Sequence, residues 1–211
     1  MSVGEPIVLG GHVELNEIAA ASEQARGDAD ARFLESLREG DAAAFDRLVV
    51  TYANGIYALL HRLVDDAEEA RDLTQETFLQ AFRAIATFRG EASLRTWLYR
   101  IAVNQARNRR RWWRRRRRDE TVSLDAPGES GIPVAAGDPE QTALQREREQ
   151  ALHAALHALA EPFREVVVLR DIEGLSYEEI AATLEISLGT VKSRLARGRA
   201  ELRRRLESSF T

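Results

Sequence analysis

The chain contains no cysteine, and it has only one methionine and five prolines among 211 residues. The absence of cysteine excludes a disulfide framework, thiolate catalysis and cysteine-ligated zinc. No stretch approaches the roughly 18 consecutive apolar residues that a membrane-spanning helix needs. Residues 1–30 lack the basic start and the apolar run of a signal peptide. We therefore expect a soluble, cytoplasmic protein that does not insert into a membrane.

Acidic residues are missing from one long internal segment. Between Leu94 and Arg118 there are eleven arginines and no acid, and from Lys192 to Arg205 there are seven basic residues against the single Glu201. The formal net charge of the whole chain is nevertheless −4, so the remainder is acidic. Two separate basic segments on an acidic chain predict a polyanion bound at two places, although each segment could also be a solvated helix face.

Apolar residues recur at helical spacing in both halves of the chain, and no alternating strand pattern occurs in the first half. Ser93 is a predicted helix cap, as is Ser176 with Glu179 three residues later. Residues 119–142 contain three prolines and three glycines among acids, which is typical of a linker. The residues predicted to face inward along the second helical pattern are Ala70, Leu73, Phe78, Phe82 and Ile85.

These patterns predict an all-α fold of two small helical domains joined by a flexible linker, the C-terminal domain being a helix-turn-helix. The predicted limits are a mobile N-terminal extension at 1–30, a helical domain at 31–118, a flexible acidic linker at 119–142 and a second helical domain at 143–211.

The sequence LSYEEIAATLEISLGTVKSRLARGRAELRRRL, which begins at Leu175, has the layout of a helix-turn-helix. A short capped helix is followed by a tight turn, with Ser187 at the start of the second helix. The predicted buried side of that helix carries Val191, Leu195 and Leu202. The other side carries Lys192, Ser193, Ala196 and Arg197, with Thr190 and Arg199 at the flanks. Such a helix fits the major groove of DNA, where basic and hydroxyl groups meet bases and phosphates. The alternative is an ordinary amphipathic hairpin.

The helical pattern that begins at Leu94 runs into the arginine segment. Arg95, Arg100 and Arg107 form a basic edge that could follow a phosphate backbone. Trp97 and Tyr99 add aromatic surface on which unpaired bases could stack, although Trp97 could equally be core. Trp112 and Trp113 could pack the helix end onto the bundle or lie against nucleic acid, and the sequence leaves both open.

Three motifs, in this order, resemble those of bacterial extracytoplasmic-function sigma factors: DLTQETFLQAF, FRGEASLRTWLYRIAVNQARNRRR and LSYEEIAATLEISLGTVKSRLARGR. The resemblance covers roughly residues 31–118 and 143–211. It implies a non-enzymatic factor that binds core RNA polymerase through its clamp helices and flap and recognises the minus-ten and minus-thirty-five promoter elements. It further implies promoter melting, transcription of a stress or envelope-response regulon, and an anti-sigma partner.

The resemblance also implies roles for particular residues. The residues expected to dock the polymerase are Asp72, Gln75 and Glu76. Those expected to capture and melt the minus-ten element are Phe88, Ser93, Trp97, Tyr99, Arg100, Asn104 and Arg107. Those expected at the minus-thirty-five element are Arg170, Ser187, Thr190, Lys192, Ser193, Ala196, Arg197 and Arg199.

Two other classes of protein fit the sequence less well. A stand-alone helix-turn-helix regulator would need a phosphoacceptor pocket or a ligand cavity in the first half, where no such constellation appears. An enzyme has little support, since no nucleophile–base set or phosphate loop is present. His153 and His157 have the i, i+4 spacing of metal ligands, but no HExxH pattern surrounds them, and an amphipathic helix explains them. We therefore expect no cofactor and no metal.

Overall fold

The computed structural model describes residues 29–64, 66–119 and 139–209, and every regular element in these ranges is helical. The all-α prediction is thus confirmed for the described residues. In chain order the helices are α1 at 29–38, α2 Ala42–Leu63, α3 Ala67–Ala84 with a 3₁₀ turn Ile85–Thr87, α4 Leu94–Asp119, α5 Pro139–His157, α6 Glu161–Val167 with a π turn Val168–Ile172, α7 Tyr177–Leu184 and α8 Leu188–Ser209.

The chain falls into two compact units, one up to Leu48 and the other from Val49 onward. In the first unit, helix α1 is followed by Gly40, whose φ of 81° suits a residue without a side chain. Asp41 then accepts a hydrogen bond from the backbone N–H of Ala43 at the start of α2. In the second unit, α3 packs along α4, α4 packs against α7, and α6 and α7 both pack on α8.

Side-chain caps fix where the functional helices begin. Ser93 Oγ accepts the backbone N–H of Thr96 at 3.0 Å, which anchors the start of α4. Ser176 and Glu179 form a reciprocal capping box at the start of α7, as the spacing predicted. These caps satisfy backbone donors that the first turn of a helix leaves without intrahelical partners, so the starts of α4 and α7 are set by local sequence.

One predicted core residue and three predicted boundaries differ in the structure, the first boundary because α1 begins at residue 29, inside the predicted extension at 1–30. Phe82 is 53% exposed, because the inward side of α3 is centred on Leu73, Thr77 and Ala81 and Phe82 lies about 100° further round the helix. Thr77 can occupy that inward place because its hydroxyl donates to the carbonyl of Leu73. Helix α4 continues to Asp119 and α5 begins at Pro139, so both enter the range predicted as linker. The rest of that range and residues 1–28 lie outside the described residues.

Gly198 allows α8 to approach α6 closely. A Cβ atom at this position would lie 2.8 Å from Cγ2 of Val167 and 3.2 Å from the carbonyl oxygen of Phe163. The second contact involves backbone, which cannot move aside cheaply. The close approach packs the second helix of the helix-turn-helix onto α6, directly before the π turn that carries Arg170.

We predict that Gly198→Ala lowers the free energy of unfolding by about 1–3 kcal/mol, because the added methyl overpacks the contact between α6 and α8. Chemical denaturation of the purified chain measures this change. Gly189→Ala is the matched control, since the nearest atom to its new methyl is Ser187 Oγ at 3.9 Å. The control is expected to be neutral or to stabilise by up to about 1 kcal/mol. Equal stability of the two variants would contradict the role given to Gly198.

Candidate nucleic-acid interface

Helices α7 and α8 form the helix-turn-helix. Glu185 ends α7 in the left-handed conformation, with φ 56° and ψ 46°, and this residue turns the chain toward α8. Ser187 Oγ accepts the backbone N–H of Thr190 at 3.2 Å and lies 2.8 Å from the Thr190 hydroxyl. Ser187 therefore caps α8, a use of its hydroxyl that the sequence interpretation did not include.

The outer side of α8 presents the predicted minus-thirty-five residues to solvent. Lys192, Ser193, Ala196 and Arg197 are exposed, whereas Val191 and Leu195 on the inner side are buried. The exposed set combines two cations, a hydroxyl and a small side chain along one face, which is a surface that can enter the major groove.

The two flanking arginines, Arg170 and Arg199, form hydrogen bonds within the C-terminal domain. The Arg199 guanidinium donates two hydrogen bonds to the carboxylate of Asp171, which raise the pKa of Arg199. Arg170 donates to the carbonyl oxygen of Leu175 at 2.6 Å and lies over the Tyr177 ring at 5.0 Å. Both side chains are thus oriented at the edge of the helix-turn-helix rather than left to move in solvent.

The beginning of α4 carries the predicted aromatic site. The rings of Phe88 and Trp97 lie 5.0 Å apart; Phe88 is buried, Trp97 is half-buried and Ser93 is exposed. The two rings are tilted by 39° and form an aromatic surface next to the loop before α4.

Tyr99 is buried, with only 3% of its surface exposed. Its hydroxyl donates to Oε2 of Glu173 at 2.6 Å, and burial together with this carboxylate raises the pKa of Tyr99 to about 12. Thr96 donates to Glu179, whose pKa is held low by the Ser176 backbone N–H and then by Thr96. In this arrangement Tyr99 faces the helix-turn-helix and not solvent.

Two more predicted minus-ten residues contact carboxylates of the C-terminal helices. Arg100 is paired with Glu185. Arg107 donates through Nε at 2.9 Å and Nη2 at 2.6 Å to the two oxygens of Glu165, and these bonds raise the pKa of Arg107. The remaining residue, Asn104, is half-buried.

Glu165, Glu173, Glu179 and Glu185 were not among the site residues predicted from sequence, and Glu179 was predicted only as part of a helix cap. They lie between α6 and the helix-turn-helix turn, and each has an α4 partner. The only sequence signal was the presence of acids close to a predicted DNA-binding motif, which does not say what they face.

The predicted polymerase-docking residues lie on α3. Asp72 and Gln75 are exposed, and Glu76 accepts a hydrogen bond from Arg109 of α4 at 2.9 Å. Arg109 also pairs with Glu69, and the Trp113 indole N–H donates to Glu69 Oε1 at 2.8 Å. Trp113 therefore packs the end of α4 onto α3, which decides one of the alternatives left open for the two tryptophans.

The structure brings His61 next to His153 and His157, which are 92 and 96 residues away in sequence. The ring centroids of His61 and His153 are 4.5 Å apart, and those of His153 and His157 are 4.3 Å apart. Arg164 donates to Nδ1 of His157, so the other ring nitrogen of His157 carries the proton near the carbonyl oxygen of His61.

Within the described ranges, no group of three or more His, Cys, Asp or Glu side chains could hold a metal ion. Likewise, no helix there is both long and apolar enough to span a membrane.

Comparison with known families matches two segments of the chain. Residues 48–119 match Sigma-70 region 2, and residues 149–202 match Sigma-70 region 4. The RNA polymerase sigma-H factor of Pseudomonas aeruginosa is 39% identical over 181 residues, which cover 84% of this chain and 94% of the relative. The ECF RNA polymerase sigma-E factor of Escherichia coli K12 is 37% identical over 176 residues, covering 81% and 90%.

Solved structures are similar as well. The sigma factor RpoE of Bartonella quintana, in complex with the anti-sigma factor NepR, has a TM-score of 0.65 at 26% identity over 77% of this chain and 96% of that one. CnrH in complex with the cytosolic domain of CnrY has a TM-score of 0.62 at 26% identity over 86% and 99%. Both likenesses extend over nearly the whole of the solved chains.

Proposed function

The chain belongs to the extracytoplasmic-function family of RNA polymerase sigma factors, and from this premise we propose how its residues divide the work of promoter recognition. A member of this family is not an enzyme; it directs RNA polymerase to promoters. The proposed division assigns residues 31–118 to the polymerase and the minus-ten element, and residues 143–211 to the minus-thirty-five element.

The observation that carries this proposal is the exposed outer side of α8. Its Lys192, Ser193, Ala196 and Arg197 would read the minus-thirty-five element in the major groove, and Thr190 would join them from the flank. Ser187, Arg170 and Arg199 would orient this surface or contact adjacent phosphates, because each is already fixed by a hydrogen bond within the domain.

The Phe88–Trp97 pair and the nearby Ser93, Arg100, Asn104 and Arg107 would hold the melted minus-ten strand. Opening the duplex costs a few kcal/mol for each flipped base, and stacking on an aromatic side chain returns about 1–3 kcal/mol per base. The two terms are of similar size, so an aromatic surface flanked by cations can hold bases that have left the duplex.

Promoter binding would require an exchange of anionic partners on α4. Arg100 and Arg107 are paired with carboxylates of the C-terminal domain, and Tyr99 is buried against Glu173. Arg107 and Tyr99, which are largely enclosed, would contact DNA only after the carboxylates leave. We therefore propose that phosphates replace the carboxylates when the two domains bind a promoter.

Exposed Asp72 and Gln75, with Glu76, would dock on the clamp helices of core RNA polymerase, and the C-terminal domain would meet the flap. An anti-sigma factor is a further proposed partner, supported by the RpoE structure, which contains one. The cytoplasm is the proposed location, and a stress or envelope-response regulon is the proposed target.

Reconstituted transcription tests the proposed function. Core polymerase with the purified chain should start RNA synthesis at defined sites on double-stranded genomic fragments, whereas core polymerase alone should not. A stand-alone regulator would bind the same fragments but would initiate only when another sigma factor is added. Initiation that needs another sigma factor would contradict the proposal. Start sites mapped with the purified chain alone would supply promoters for further experiments.

A further inference from the structure

The arginines in the second half of α4 fall on three faces of the helix, a division that the run of letters does not reveal. One face, with Arg107, Arg110 and Arg114, pairs with Glu161 and Glu165. A second face, with Arg109 and Trp113, bonds to Glu69 and Glu76 of α3. In the free chain the charge of these two faces is therefore already compensated by carboxylates of the protein.

The third face carries Arg111 and Arg115. Both are exposed, and among the residues that the structure describes neither forms an ion pair with a carboxylate. Arg111 donates to Oδ1 of Asn108, so even its nearest polar contact is neutral. Two uncompensated charges here favour an external anion.

The same face continues toward the proposed minus-ten site. Trp97, Asn104, Asn108, Arg111 and Arg115 are spaced by seven, four, three and four residues, which places them along one stripe of the helix. From Asn104 to Arg115 the helix rises about 16 Å, the length of about five base pairs of duplex at 3.4 Å each. We call Asn108, Arg111 and Arg115 the outward stripe.

We infer that the outward stripe binds phosphates of closed duplex in the promoter spacer, directly upstream of the minus-ten element. This inference rests on the proposed function, which fixes the direction of α4 along the promoter. The N-terminal half of α4 meets the minus-ten element, and the C-terminal half points upstream, toward the domain that binds the minus-thirty-five element. The DNA between these elements is base-paired, so its regular phosphates suit arginines spaced i, i+4 on a straight helix. The contact is independent of base sequence and adds affinity without changing promoter choice.

The test uses the holoenzyme assembled from core polymerase and the full chain, on a promoter mapped by the transcription assay. Arg111→Ala and Arg115→Ala should each reduce the slope of log K against log salt by about 0.9, and the double variant by about 1.8. The double variant should bind roughly 60-fold more weakly at about 0.1 M salt, because a slope change of about 1.8 corresponds to about 1.8 log units between 1 M and 0.1 M. Arg109→Ala is the matched control, since it removes the same charge from the face turned toward α3 and should leave the slope unchanged.

A second DNA probe separates this contact from the minus-ten site. On an oligonucleotide that carries only the single-stranded minus-ten element, the outward-stripe variants should bind the holoenzyme like wild type. Wild-type salt slopes for both variants on the duplex probe, or an equal loss on the single-stranded probe, would overturn the inference. Weaker assembly with core polymerase would also overturn it, since the stripe would then face protein. Wild-type holoenzyme that binds no promoter at all would instead refute the proposed function.

Discussion

Replacing Lys192 and Arg197 together by alanine is expected to abolish promoter selection while leaving association with core polymerase intact. Both side chains are exposed on the outer face of α8, one turn and a residue apart, so neither contributes to the core that Val191 and Leu195 form on the other side. Loss of a base or phosphate contact in a major groove costs about 1–3 kcal/mol. The double variant should therefore lose about 2–6 kcal/mol of specific binding, which removes the preference over other DNA.

The measurement compares start-site-specific transcription and core-polymerase affinity for the same preparation. A control with an identical charge change is Arg203→Ala with Arg204→Ala, because both residues are exposed further along α8, beyond the proposed contact surface. The control should select promoters like wild type. Loss of core binding by the Lys192 and Arg197 variant would show that these residues serve the polymerase and not the DNA.

The helical class of the fold and the starts of α4 and α7 could be predicted because they depend on neighbouring residues. Apolar spacing defines each helix, and Ser93 and Ser176 satisfy backbone donors three residues away. The exposed side of α8 was predictable for the same reason, since Val191 and Leu195 define its inner side by periodicity alone. The prediction that Phe82 belongs to the core was wrong. Its spacing from the other apolar residues fits a helix only approximately, and Thr77 takes a place on the buried side instead.

The partners of α4 could not be predicted in this way. Glu165 is 58 residues from Arg107 in sequence, and Glu173 is 74 residues from Tyr99. No local pattern states that an acidic residue in the C-terminal domain bonds to an arginine in the other. The need for glycine at position 198 could not be predicted for a similar reason. A side chain there would meet the backbone of Phe163, which belongs to another helix.

Among the four glutamates that bond to α4, Glu165 is the most buried, since only 2% of its side chain is exposed. It accepts two hydrogen bonds from Arg107 and one from Arg110 at 3.0 Å. Removing one partner of a buried ion pair leaves the other charge uncompensated and typically costs about 3–5 kcal/mol. Arg107 and Arg110 belong to α4 and Glu165 belongs to α6. The lost free energy therefore weakens the contact between the two domains.

Glu165→Gln is therefore expected to separate α4 from α6 in the free chain and to raise its affinity for a single-stranded minus-ten oligonucleotide. The glutamine keeps the size of the side chain but presents an amide donor to two guanidinium groups. Fluorescence transfer between labels on α4 and α8 measures the separation, and oligonucleotide titration measures the affinity. Thermal unfolding followed in parallel distinguishes opening of the contact from loss of either fold.

Glu185→Gln is the matched comparison, because it removes a carboxylate from the same set at an exposed position. The side chains of Glu185 and Arg100 are 64% and 50% exposed, and solvent-exposed ion pairs contribute only about 0–1 kcal/mol. This variant should change the label separation and the oligonucleotide affinity little. If the two variants behaved alike, or if Glu165→Gln bound the oligonucleotide more weakly than wild type, the exchange of carboxylates for phosphates on α4 would be refuted. A large effect of Glu165 alone would instead identify its buried carboxylate as the anion that promoter DNA must replace.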